Sequence, residues 1–300
     1  MSGPPDLPEL RLRARELARG ASLAESARVQ LCLQARELES ALPEALPRLR
    51  PGPVHDARVA SRRLRAGMTL FQRLYPRRWH TAVGMARSVT QGLREARDLD
   101  IRRARLLRLS RKLGRGDRPC REVLEELATR AGEARAAGGA PALPAARLFG
   151  ELAGALWRPR LSGAADADRF ARVWLHELQV LVANTVPMAS VEAHGGVQHR
   201  LRIRGKALRY SLEMMQWELG AEAAWRISAL REVQDTLGEL HDVDMLLDHL
   251  REESARRRRA ERRCLDEASG VLHAERRRLF KLFLGRRAEL ESACGPIRFP

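Results

Sequence analysis

Apolar residues recur at three- and four-residue intervals along nearly the whole chain, the period of a helix that buries one face. Strict alternation is missing, and Val, Ile and Thr are too sparse and scattered to propose a strand. Helix breakers fall at Pro43–Pro53, at Pro76, across Ala136–Ala146, around Ser162–Asp166, at Pro187–Gly196 and at Gly220. Between them the periodicity predicts helices over about 6–19, 22–41, 54–74, 78–113, 119–136, 145–157, 167–185, 197–218, 222–254 and 256–291. The expected fold class is all-α. The chain is read as a single domain over 1–300, with halves of about 1–140 and 145–300 hinged at the AAGGAPALPAA stretch.

The pattern also repeats. With an offset of 144 residues, HDARVASRRLR from His55 falls on HRLRIRGKALR from His199. His55 meets His199, Arg58 meets Arg202, Val59 meets Ile203 and Arg62 meets Lys206. Leu64 and Arg65 meet Leu208 and Arg209. Without a gap, the same offset lays REARDLD on GELHDVD, so that Glu95, Asp98 and Asp100 meet Glu239, Asp242 and Asp244. It also sets Pro76 on Gly220. Two motifs and one turn at a single offset predict a duplicated helical unit.

Within each copy, the basic residues share a face. His55, Arg58, Arg62 and Arg65 stand at i, i+3, i+7 and i+10, an arc of roughly 80° on a helix. His199, Arg202, Lys206 and Arg209 draw the same stripe. Four like charges in a line repel unless an anion lies along them. An antiparallel hairpin turning near residue 77 sets His55 level with Leu99 and Arg58 level with Ala96, beside Glu95 and Asp98. The second copy sets His199 level with Val243 and Arg202 with Leu240, beside Glu239 and Asp242. These four acids are expected to orient the basic groups or to bridge the hairpin helices.

Charge changes the picture further. The chain carries 55 basic and 38 acidic residues, a net charge of +17, and this points to a polyanionic partner. Residues 50–115 hold 18 basic and 4 acidic residues; residues 199–250 hold 7 and 9, with five of the seven inside Arg200–Arg209. The positive charge of the second copy is therefore confined to its stripe. Cys32, Cys120, Cys264 and Cys294 lie far apart without a CxxC pair, which argues against a zinc or redox motif and fits a reducing compartment. No signal-peptide pattern opens the sequence and no apolar run suits a membrane, so a soluble cytoplasmic protein is expected.

HDARVASRRLRAGMTLF, RGKALRYSLEMM and LREVQDTLGELHDVDMLLDHL together resemble the CHAD family, the conserved-histidine α-helical domains. The resemblance implies two four-helix-bundle-like halves related by pseudo-twofold symmetry. It also implies basic helices lining a central cavity that binds inorganic polyphosphate without catalysis, in proteins associated with polyphosphate granules. Members are often fused to a strand-rich CYTH domain; no strand-rich stretch exists here, so a stand-alone copy is expected. Carried onto this sequence, the binding set is His55, Arg58, Arg62, Arg65, His199, Arg202, Lys206 and Arg209. Arg63 is added, although its repeat partner is Ala207.

Two other readings start from the residues alone. His241, Asp244 and Asp248 share a helix face, and a His-Asp pair suits a metal-dependent phosphohydrolase. That reading needs a further His, and Arg97 replaces His241 in the first copy, so no metal, cofactor or catalytic residue is expected. Nonspecific nucleic-acid binding is the alternative, other polyanions included, and it rests on charge alone because 13 aromatic residues offer little stacking surface. The runs Arg256–Arg259 and Arg276–Arg278 read as solvated faces, and Trp157, Trp174, Trp217 and Trp225 as core. His80, His176, His194 and His273 belong to no constellation.

Overall fold

Thirteen helices and no strand form among the residues described by the computed structural model, 4–17, 21–45, 51–75, 84, 86–88, 91–115, 117–137, 146–158 and 164–299. They are α1 (Leu7–Glu16), α2 (Leu23–Ala45), α3 (Pro51–Leu70), α4 (Arg94–Leu113), α5 (Arg118–Ala137), α6 (Ala146–Leu156) and α7 (Ala164–Ala183). There follow α8 (Val186–Ala189), α9 (Gly195–Met214), α10 (Gln216–Leu219), α11 (Ala221–Ser254), α12 (Arg259–Gly285) and α13 (Arg287–Ala293). The Pro76 turn, His80 and most of the Ala136–Ala146 hinge lie outside the described residues.

The helices form where the spacing predicts them because their apolar faces close on each other. In α2, Ala24, Ala27, Leu31, Ala35, Leu38 and Leu42 are buried at three- and four-residue steps. In α9, Val197, Leu201, Leu208 and Leu212 are buried on one face, which turns the basic stripe to the other. Buried residues from Leu10 to Cys294 join in one continuous core. Gly67 lets α3 approach α2, since a Cβ there would stand 2.7 Å from Leu31 Cδ2. Gly220 separates α10 from α11 with φ 54° and ψ −125°, a backbone region that side chains disfavour.

Element bounds follow the offset of the sequence. Shifted by 144, Pro51–Leu70 falls on Gly195–Met214 at both ends, and the 3₁₀ turn Gln72–Leu74 falls within Gln216–Leu219. The packing departs from it. Helices α9 and α11 pack closely, whereas α3 lies mainly on α2 and α4 mainly on α5, so α3 and α4 meet only briefly. Among the described residues the second hairpin closes tightly, while the first sets His55 beside Arg97 and Arg58 beside Asp98 with less contact between its helices. The long helix expected over 78–113 is interrupted at Leu93, and the one over 256–291 breaks at Arg286.

Three further expectations change. Cys120 of α5 and Cys264 of α12 form a disulfide across 144 residues, the same interval as the sequence offset. Linear spacing gave no sign of it, because the two cysteines meet only when equivalent helices face each other. The Arg runs are not simply solvated: Arg257 pairs with Glu126 of α5 at 2.7 Å, and Arg276 pairs with Asp244 of α11 at 2.6 Å. Trp225 is 41% exposed rather than core, with Arg226 over its ring.

Candidate anion-binding site

The basic stripes of α3 and α9 face a recess of about 650 Å³ that α4, α7 and α11 complete. From α3 come His55, Arg58, Arg62 and Arg65; from α9 come His199, Arg202 and Lys206. The periodicity that buries the apolar face of each helix turns these side chains to the other face, where α4, α7 and α11 enclose them in the recess. Trp174 and Leu178 of α7, with Ile203 and Tyr210 of α9, form an apolar side of the same recess.

Two expected members are committed elsewhere. Arg209 donates from Nε to Gln234 Oε1 at 2.8 Å and pairs with Glu213 at 2.6 Å. Arg63 lies off the stripe by a helix turn's geometry and donates from Nε to the same Glu213 at 3.0 Å. Of the four acids, Asp98 and Asp242 line the recess, while Glu95 and Glu239 are exposed and do not. Asp98 also accepts from Arg94 Nε at 3.4 Å.

Residues outside the two stripes also enter the recess. Arg87, Gln91, Arg94 and Arg97 line the recess from the α4 side, and His241 lines it from α11. Arg87, Gln91, Arg94, Asp98 and Ile101 follow steps of four, three, four and three, a helical face readable in the sequence. It was hidden among the many other arginines of that segment. Arg97 and His241, set apart above because they differ, occupy equivalent positions and share the recess. The His241 ring lies 4.2 Å from that of His199, centroid to centroid, half a turn from the Val243 level expected.

Crowded cations weaken each other's hold on protons. Burial, then Arg62, pushes Arg58 down to about 10, with Asp98 opposing. Burial, then Arg202, Arg62, Arg209 and Arg58, pushes the Lys206 amine down to about 7. His55 is lowered by burial and Arg97, and His199 by burial and Arg202. His241 falls to about 4 through burial and then His199. Burial raises Asp242, with Arg105 and Arg202 opposing. The Nε atoms of Arg62, Arg65 and Arg202 and Nδ1 of His199 are buried without a hydrogen-bond partner among the described residues. Unmet donors and mutually destabilised cations around one recess are the chemistry of an anion site.

Among the described residues no group of three or more His, Cys, Asp or Glu is placed to hold a metal. Asp244, part of the His241–Asp248 face, is held by Arg276. Among the same residues no helix is long and apolar enough to cross a membrane.

Solved structures share this fold. The CHAD domain from the plant Ricinus communis superimposes with a TM-score of 0.62 at 20% identity, covering 94% of this chain and 95% of that one. PptA from Streptomyces chartreusis does so with a TM-score of 0.67 at 17% identity, covering 91% and 99%. No curated protein matches the sequence. The sequence profile of the CHAD domain matches residues 29–251, which include both stripes and both acidic motifs, and the chain belongs to the CHAD domain family.

Proposed function

We propose that the chain binds inorganic polyphosphate in this recess, without catalysing its turnover, and that binding recruits it to polyphosphate granules. The observation that carries the reading is the set of buried Nε donors of Arg62, Arg65 and Arg202 and the buried Nδ1 of His199, without partners among the described residues, around a recess whose described lining holds two carboxylates, Asp98 and Asp242. Phosphate oxygens would satisfy those donors, and a bidentate guanidinium contact suits them. The binding set is His55, Arg58, Arg62, Arg65, His199, Arg202 and Lys206, extended by Arg87, Arg94 and Arg97. Asp98 and Asp242 hold the guanidinium groups in place. The two stripes are copies of one ancestral unit, joined in a single domain near the hinge.

Shape separates this reading from nucleic-acid binding. A duplex carries its phosphates on the outside of a stiff rod and is met by an open basic face, whereas a recess of about 650 Å³ admits a single flexible chain. The test is a titration with long-chain polyphosphate at fixed salt, competed with duplex DNA. DNA at equal phosphate concentration is expected to displace little polyphosphate; tighter binding of DNA would overturn the proposal. Arg202→Gln should weaken polyphosphate binding about tenfold or more, against little change for Arg118→Gln, whose side chain is 88% exposed. Equal losses would reduce the site to bulk charge.

A further inference from the structure

Among the Lys and Arg side chains of the recess, Lys206 alone can become a nucleophile, since a guanidinium does not give up its proton in proteins. The imidazoles of His55, His199 and His241 can also attack, but an acyl-imidazole hydrolyses whereas a lysine amide persists. The chain has only two other lysines, Lys112 and Lys281, and both are exposed. No carboxylate pairs with Lys206 among the described residues. Around it stand Arg202 and Arg209 on its own helix, Arg58 and Arg62 from α3, and His241 and Asp242 from α11. From α7 the recess receives only Trp174 and Leu178, which carry no charge. At its lowered affinity for protons, about 7, the amine carries a free lone pair in a large fraction of molecules at neutral pH. The same surroundings draw in phosphate-bearing molecules.

We infer that Lys206 is a site of covalent acylation by small acyl phosphates, whose phosphate the neighbouring guanidinium groups hold while the amine takes the acyl group. The inference rests on the anion-binding reading of the recess. The Nζ lone pair attacks the acyl carbon, and a C–N bond forms as the bond from that carbon to the phosphate oxygen breaks. Inorganic phosphate leaves with its electron pair, and the nitrogen loses a proton to become a neutral amide. No oxidant or further reactant is needed. The product removes one cation from the recess, so acylation weakens the hold on polyanions.

Acetyl phosphate is the probe, with peptide mapping by mass spectrometry on the full chain and, in parallel, on the K112R/K281R variant, where intact mass reads Lys206 with the N-terminal amine. Lys206 is expected to acetylate about tenfold or more faster than Lys112 or Lys281 at neutral pH, because ordinary lysines near 10.4 are almost fully protonated there. Its rate should level off above pH 8, and tripolyphosphate should suppress it. Equal labelling of the three lysines in the folded wild type would overturn the inference. An uncharged active ester that gives the same Lys206 preference would also overturn it, by assigning the selectivity to the amine alone. Selective acetylation that neither inorganic phosphate nor tripolyphosphate suppresses would also overturn it, whereas suppression by inorganic phosphate but not by tripolyphosphate would keep the inference and remove the polyphosphate reading.

Discussion

At the scale of single residues, the recess trades stability for binding. Lys206, His55, His199 and His241 all bind protons less tightly than they would in the unfolded chain. Between about pH 7 and 10 the unfolded state therefore keeps a proton on Lys206 that the folded state has released, so stability rises with pH across that window. The histidines add the same sign below about 6.5, between their lowered and ordinary values. A bound polyanion reverses the local field and raises all four affinities, so binding takes up protons and strengthens as pH falls. Affinity should climb from pH 9 to 7 through Lys206 and further below 6.5 through the histidines. Calorimetric titration in buffers of different ionisation heat reads the proton uptake directly. Lys206→Arg should flatten the upper part of the profile, and His55→Gln with His199→Gln the lower part. A profile unchanged by either would remove those groups from the site.

Arg202 gives a second prediction at this scale. Its Nε is buried with no partner among the described residues, and burial lowers its hold on its proton, opposed by Asp242 and furthered by Arg62. Arg202→Met keeps the side-chain length and removes the unmet donor and the repulsion. Losing the attraction of Asp242 and Asp98 offsets that relief, so the free protein should change in stability by no more than about 1 kcal/mol while polyphosphate affinity drops. A variant that loses several kcal/mol of stability and keeps its affinity would show Arg202 to be structural rather than a phosphate ligand.

At the scale of elements, the sequence is most informative where one rule dominates. The helices were legible because apolar residues at three- and four-residue steps have no other way to be buried together. The stripes of α3 and α9 were legible because like charges at i, i+3 and i+7 share a face. Partner choice was not. Whether Arg209 faces an anion or Glu213 depends on a carboxylate one turn away and on Gln234 of α11, and the periodicity is the same in either case. The α4 contribution was masked by abundance: Arg94 and Arg97 sit in a segment where arginine is common, and only the recess selects them. Among the described residues α3 packs mainly on α2, where Gly67 meets Leu31, and only briefly on α4, which the sequence pattern did not foretell. Arg257→Glu tests the opposite face of this argument. Because Arg257 is 15% exposed and bridges Glu126 and Glu253, the change should lower the melting temperature and leave polyphosphate affinity little altered. A large affinity loss with an unchanged melting temperature would place Arg257 on the polyanion's path instead.

At the scale of the molecule, α4 and α5 are held to α11 and α12 by few ties. Arg105 reaches Glu275 at 3.1 Å, Arg130 reaches Glu253 at 2.9 Å, and the Cys120–Cys264 disulfide joins α5 to α12. These ties join the helix pairs of which α4 and α11 carry Arg94, Asp98, His241 and Asp242 into the recess. A cross-link that closes a 144-residue loop removes chain entropy worth about 5 kcal/mol from the unfolded state in the loop-closure picture. Reductant should therefore lower the melting temperature on the order of 10 °C, and Cys120→Ser with Cys264→Ser should reproduce the loss without reductant. Thiol counting checks the assignment independently. Cys32 and Cys294 are buried, and burial pushes each thiol up to about 12, so the native chain should show almost no reactive thiol. After denaturation without reductant two thiols should react, those of Cys32 and Cys294, and all four after reduction. Four thiols in the denatured, unreduced chain would mean that the cysteines of α5 and α12 meet without bonding. The ion pairs Arg105–Glu275 and Arg130–Glu253 would then hold the two walls, and the melting temperature would fall with salt rather than with reductant.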